Sequence, residues 1–228
     1  AVRMHTQLLS CYTGSLMRKS ATYDWLDLVI FPHEGDFYED PEDITFGQMH
    51  EYDVEWPSDD ALVFQIGLLI SEFSSLLRIG MFLPSGVTDE DLIRSSKCLR
   101  SLTHWKLNLE TNTSITDQGL ERSAESFPGL TSWSLNLHHN SIITDQGLEK
   151  SAKSFPGLTH WSLNLRSNSI ITERGLERSA KCFPGLTHWS LNLITNSSIT
   201  MHGLESSAKY FPGLTHWSLN LLSNFSIT

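Results

Sequence analysis

Histidine, serine and aspartate recur through the C-terminal half of this chain, and they are residue types of nucleophilic catalysis. The string His160-Trp161-Ser162-Leu163-Asn164 returns at 188–192 and 216–220, with near copies at 104–108 and 132–136. Every candidate group is thus copied at equivalent positions, whereas a catalytic centre needs one asymmetric pocket. No G-x-S-x-G, P-loop or H-E-x-x-H motif occurs. His33-Glu34-Gly35-Asp36 and His50-Glu51-Tyr52-Asp53 look like metal-site fragments, but acidic runs produce such strings by chance. Aligned imidazoles are also possible metal ligands, yet the strand motif supplies no carboxylate to orient them. The expectation is therefore no catalytic residue, no metal and no cofactor. The alternative, an enzyme working through the N-terminal segment, has little chain to work with.

The elements that position these residues follow from the repeat. Trp105, Trp133, Trp161, Trp189 and Trp217 stand 28 residues apart, and a fixed period of this size marks a solenoid. In the unit Leu158–Gly185, Trp161, Leu163 and Leu165 alternate with Ser162 and Asn164, which predicts a strand with one buried face. Thr172 is the expected N-cap of a helix, and Glu173 puts an acid in its first turn, where the macrodipole favours it. Leu176 and Ala180 share a helical face. Phe183-Pro184-Gly185 ends the helix, because proline cannot continue it and glycine permits the turn. A single unit cannot bury its own apolar face, so neighbours must stack into one core. The tryptophans are expected in that core because they share the leucine face.

The pattern L-x-x-W-x-L-x-L-x-x-N-x-x-I-T-(D/E)-x-G-L resembles leucine-rich repeats of the ribonuclease-inhibitor-like class. The I-T-D-x-G-L stretches at Ile115–Leu120 and Ile143–Leu148 are similar to repeats of F-box leucine-rich proteins. Trp in place of the usual strand leucine, and a strand longer by two residues, depart from that pattern. The resemblance implies an α/β horseshoe, with parallel strands on the concave face and helices on the convex face. It also implies that Asn112, Asn140, Asn168, Asn196 and Asn224 form a ladder that satisfies loop backbone groups.

Three segments follow. Residues 101–228 are regular repeats, in an array that reads as truncated at its C-terminus, where packing of the open end against a second copy is another reading. Residues 58–100 hold a capping helix, Ser58–Phe73, and a degenerate first repeat. At the 28-residue period, Leu77, Ile79 and Met81 fall on Trp105, Leu107 and Leu109, and Pro84 falls on the Asn position. Residues 1–57 do not follow the repeat; Met4–Lys19 is a candidate helix and Trp25–Phe31 a candidate strand. From Asp24 to Asp60 there are thirteen acids and no Lys or Arg, with Phe37, Tyr38, Phe46, Tyr52 and Trp56 among them. Two readings stand for this stretch: a solvated covering loop, or an acidic docking segment for a basic partner.

The strand residues facing away from the leucines form columns, and these are the candidate partner-binding residues: His104, Lys106, Asn108, Ser132, Ser134, Asn136, His160, Ser162, Asn164, His188, Ser190, Asn192, His216, Ser218 and Asn220. Close imidazoles resist charging together, so a contact through them is expected to be pH-sensitive.

The net charge is −10, while the acids and bases of residues 101–228 cancel. Such a balance suits no nucleic acid. The longest apolar run, Ala61–Ile70, is too short for membrane insertion. Three cysteines without metal spacing suggest a reducing compartment. Asn112, Asn196 and Asn224 read as glycosylation sequons, but a ladder position would leave them unused. An intracellular, cytoplasmic location is the resulting expectation. The functional expectation is a non-enzymatic protein-protein interaction scaffold, with a ubiquitin-ligase substrate-recognition subunit as the alternative.

Overall fold

The computed structural model describes residues 26–28, 78–83, 86–97, 99–110, 112–224 and 226–227. Among the described residues, seven parallel strands lie in chain order: β1 (Leu26–Leu28), β2 (Arg78–Phe82), β3 (His104–Asn108), β4 (Ser132–Asn136), β5 (His160–Asn164), β6 (His188–Asn192) and β7 (His216–Asn220). Helices α1 (Asp89–Lys97), α2 (Asp117–Ala124), α3 (Asp145–Ala152), α4 (Glu173–Ala180) and α5 (Met201–Ala208) alternate with them. From β3 to β7 the register is in phase, so each tryptophan lies opposite the next, and likewise each leucine. This is an α/β leucine-rich-repeat-like solenoid.

Strand alternation puts the Trp and Leu side chains on one face, against the helices. Trp105, Trp133, Trp161 and Trp189 are at most 1% exposed. Each meets the phenylalanine that follows its own helix, edge to face at 4.9–5.1 Å for Phe127, Phe155, Phe183 and Phe211. Truncating one such ring to alanine costs about 3–5 kcal/mol. Trp217, which no described helix follows, is 49% exposed.

The helix starts explain the Thr-(Asp/Glu)-x-Gly string. Thr116, Thr144 and Thr172 are N-caps, each hydroxyl accepting from the amide two residues on. The acid after each threonine does more than favour the macrodipole, because it reaches into the next repeat. Asp89 holds the backbone N–H and hydroxyl of Thr116, and Asp117 does the same for Thr144. Glu173 takes this role toward Thr200, whose own side chain makes no cap bond. The glycine makes room for the clamp: a β-carbon on Gly147 would sit 2.1 Å from Asp117 Oδ1.

The first repeat differs from expectation. Ile79 lies opposite Trp105 and Met81 opposite Leu107, and Leu83 N donates to Asn108 O just as Leu109 N donates to Asn136 O. The apolar series is therefore shifted by two residues from the 28-residue alignment. A slip of two preserves the buried face, because side chains alternate with period two. The chain absorbs it between Leu83 and Val87, which is two residues shorter than Leu109 to Ile115. Thr88, Asp89 and α1 return to the common period. β1 falls within the predicted strand 25–31 and pairs with β2, so the N-terminal segment supplies an edge strand. Leu77, Pro84, the segments 4–19, 34–56 and 58–73, and Cys98 lie outside the described residues.

Candidate interaction surface

The face of the sheet opposite the leucines carries the columns expected from the sequence. His160 and His216 are exposed and His188 is partly exposed. Their rings stack, His160 on His188 at 4.1 Å and His188 on His216 at 4.2 Å, with interplanar angles of 12° and 6°. Ser132 interrupts the column, so His104 stands apart at its other end. Ser162, Ser190 and Ser218 form the second column, continued by Ser134 and Lys106. Asn164 and Asn192 are partly exposed and Asn220 is exposed.

Threonines fix the imidazoles. Thr159, Thr187 and Thr215 each contact Nδ1 of the following histidine at 2.9 Å. Each hydroxyl also donates its single proton to the backbone carbonyl of the equivalent threonine one repeat earlier, at 3.0–3.1 Å. The hydroxyl therefore accepts from Nδ1–H. In the neutral ring the Nε2 lone pair is then the free acceptor. Partial desolvation holds the His188 pKa below its ordinary value, and His160 and His216 on either side lower it further.

Asn108 and Asn136 depart from the expected binding column. They are 8% and 0% exposed and are withdrawn into a polar network. Asn136 Nδ2 donates to Asn108 Oδ1 at 3.0 Å and to Glu110 Oε2 at 3.2 Å. Glu110 Oε1 lies 2.8 Å from His138 Nδ1, and His138 N donates to Asn136 Oδ1. Burial lowers the His138 pKa, against the opposing attraction of Glu110. Reading one column of the repeat (Glu110, then His138, then Arg166) would have revealed this pair, since an acid stands one repeat before two bases. The other strand-end asparagines also turn back, each Oδ1 accepting from the amide two residues on: Arg166, Ile194 and Leu222.

The second asparagine column lies in the turns. Asn140 Nδ2 donates to Leu109 O and Asn112 O, and its Oδ1 accepts from Ile142 N and Ile143 N. Asn168 and Asn196 repeat this pattern. Asn112 and Asn224 stand at the ends of the ladder, donating to Val87 O and Leu193 O. Asn112 and Asn196, both in sequons, are 1% exposed.

The helical side is tied by ion pairs between repeats, Lys150 to Glu121 at 3.0 Å and Arg178 to Glu149 at 3.1 Å. A shallow groove of about 430 Å³ there is lined by Ile93, Lys97, Gln118, Glu121, Arg122 and Glu125. Among the described residues, no group of three or more His, Cys, Asp or Glu is placed to hold a metal ion, and no helix is long and apolar enough to cross a membrane.

Fold and face together define a leucine-rich-repeat-like solenoid with one ordered polar sheet surface. No protein-family model matches the chain, and no curated protein does. Among solved structures, a chain of the yeast Rad7 and Elc1 complex is similar, with a TM-score of 0.44 and 17% identity. The match covers 70% of this chain and 48% of that one, so this chain spans about half its length.

Proposed function

We propose that this chain is a non-enzymatic protein-interaction scaffold and that the His/Ser/Asn face of β3–β7 is its partner surface. One observation carries this reading. The face presents His160, His188 and His216 in register on β5–β7 beside Ser162, Ser190 and Ser218, with Ser134 and Lys106 continuing the second column, over strands whose tryptophans from Trp105 to Trp189 are buried. Preorganised donors and acceptors lose little entropy on binding. Their replication favours an extended partner over a small substrate, which would need one distinct pocket.

The test begins with the native mass of the protein in a gentle lysate, measured by gradient sedimentation. A native mass far above that of the denatured chain from the same lysate identifies a stable assembly. Ser162→Tyr with Ser190→Tyr, which fills the centre of the face, should then release the partner while leaving the melting temperature unchanged. Retention of the partner would refute the surface. Copurification with ubiquitin-ligase subunits would assign the scaffold to that machinery.

A further inference from the structure

We infer that the stacked His160–His188–His216 column recognises an acidic polypeptide and takes up protons when it does so. This deepens the proposed function, resting on the same sheet face and naming the chemistry of its partner.

The charge distribution selects the partner. The acids and bases of residues 101–228 cancel, and strands β3–β7 contain no Asp or Glu. They carry four histidines, each at the first strand position, together with Lys106. The face presents histidines and a lysine with no carboxylate on its own strands, on repeats whose acids and bases otherwise cancel. Glu110, at the exit of β3, is engaged by His138 and Asn136. An acidic chain meets complementary groups and no strand carboxylate here.

The geometry supplies the proton linkage. β5, β6 and β7 share the sequence His-Trp-Ser-Leu-Asn, so the groups that face His188 from the adjoining strands are two more imidazoles. Rings 4.1–4.2 Å apart oppose each other's protonation. Free of partner, His188 between its two neighbours therefore stays neutral more readily than an isolated histidine. A row of carboxylates laid across the column reverses that balance, because each Nε2 can then donate as N–H⁺ to an oxygen. The threonines keep Nδ1–H turned inward in both states, so the proton exchanged is the one on the exposed nitrogen. The bound state holds more protons, and affinity must rise as pH falls through the histidine range.

The test uses the full chain and a fluorescent oligoglutamate peptide, with anisotropy read at about pH 7.5 and about pH 5.5, where glutamate remains ionised. Linkage allows up to about tenfold in affinity per pH unit for each proton taken up. The expected result is tighter binding at the lower pH by about tenfold or more, flattened in the triple variant His160→Asn, His188→Asn, His216→Asn. Far-ultraviolet dichroism verifies that the variant is folded. A pH-independent affinity, or equal binding by the triple variant, overturns the inference. Ser162→Tyr with Ser190→Tyr separates the two readings. If it blocks a pH-flat interaction, the face binds partners and the histidine inference alone fails. If it leaves peptide binding intact, the peptide binds elsewhere and both readings fail. Equal capture of sulfated polysaccharide, with the same pH slope, would replace the acidic polypeptide with a general polyanion and overturn the assignment of partner class.

Discussion

Asp145 holds Thr172 of the next repeat with both carboxylate oxygens, Oδ1 accepting from the backbone N–H at 2.7 Å and Oδ2 from the hydroxyl at 2.6 Å. One side chain thereby joins two repeats and orders a helix start that would otherwise leave amides unsatisfied.

The clamp predicts an inverted effect of Gly→Ala. In an ordinary helix that change is stabilising. A β-carbon at Gly175 would lie 2.1 Å from Asp145 Oδ1, so Gly175→Ala should cost about 2 kcal/mol through overpacking. Gly185 has open space around it, and Gly185→Ala should stay within about 0.5 kcal/mol of wild type. Urea denaturation compares them, and equal effects would refute the steric role.

Asn168 is 2% exposed and bonds Leu137 O, Asn140 O, Ile170 N and Ile171 N. Asn168→Ala strands these buried backbone groups and should cost about 3 kcal/mol. Asn168→Asp should be no better, since a carboxylate would face two carbonyls. Denaturant midpoints with an unchanged slope would check this.

The tryptophans should divide by position. Trp161→Ala removes a fully buried ring and should cost about 3–5 kcal/mol. Trp217 is half exposed, so Trp217→Ala should cost about 1–2 kcal/mol. Emission provides a second check: Trp161→Phe removes blue-shifted intensity, and Trp217→Phe removes red-shifted intensity.

His138 predicts a pH dependence of stability. Desolvation holds its folded pKa below the ordinary value, against the pull of Glu110. The unfolded chain therefore binds the proton more readily, and stability rises with pH in this window. This contribution is complete above about pH 6.5, the unfolded value, and is lost as pH falls toward the lower folded value. His138→Gln should flatten the difference in denaturation midpoint between about pH 5 and about pH 7 relative to wild type. An unchanged pH profile would exclude the effect.

The period and the alternation of Trp161, Leu163 and Leu165 were enough to read strand, face and stacking from the sequence, because a solenoid turns each repeat position into a column. The role of Gly175 was not readable from its own repeat, since its reason is an oxygen from the repeat before. The two-residue shift at Ile79 was hidden because period-two patterning is blind to even slips. Asn136 was assigned to the partner face by alternation. Its withdrawal depends on Glu110 and His138, outside the strand motif, and becomes visible only when columns are compared across repeats.

Among the described elements, each strand pairs only with the strands beside it, and each helix neighbours only the helices beside it along the row. No contact closes the array on itself, as a barrel's last strand would on its first. Tension applied to the two ends would open the array seam by seam, the four seams from Asp89 to Thr200 each held by a carboxylate clamp and an asparagine. The molecule would lengthen in discrete steps of 28 residues, with the rest of the ordered face still intact and able to hold its partner.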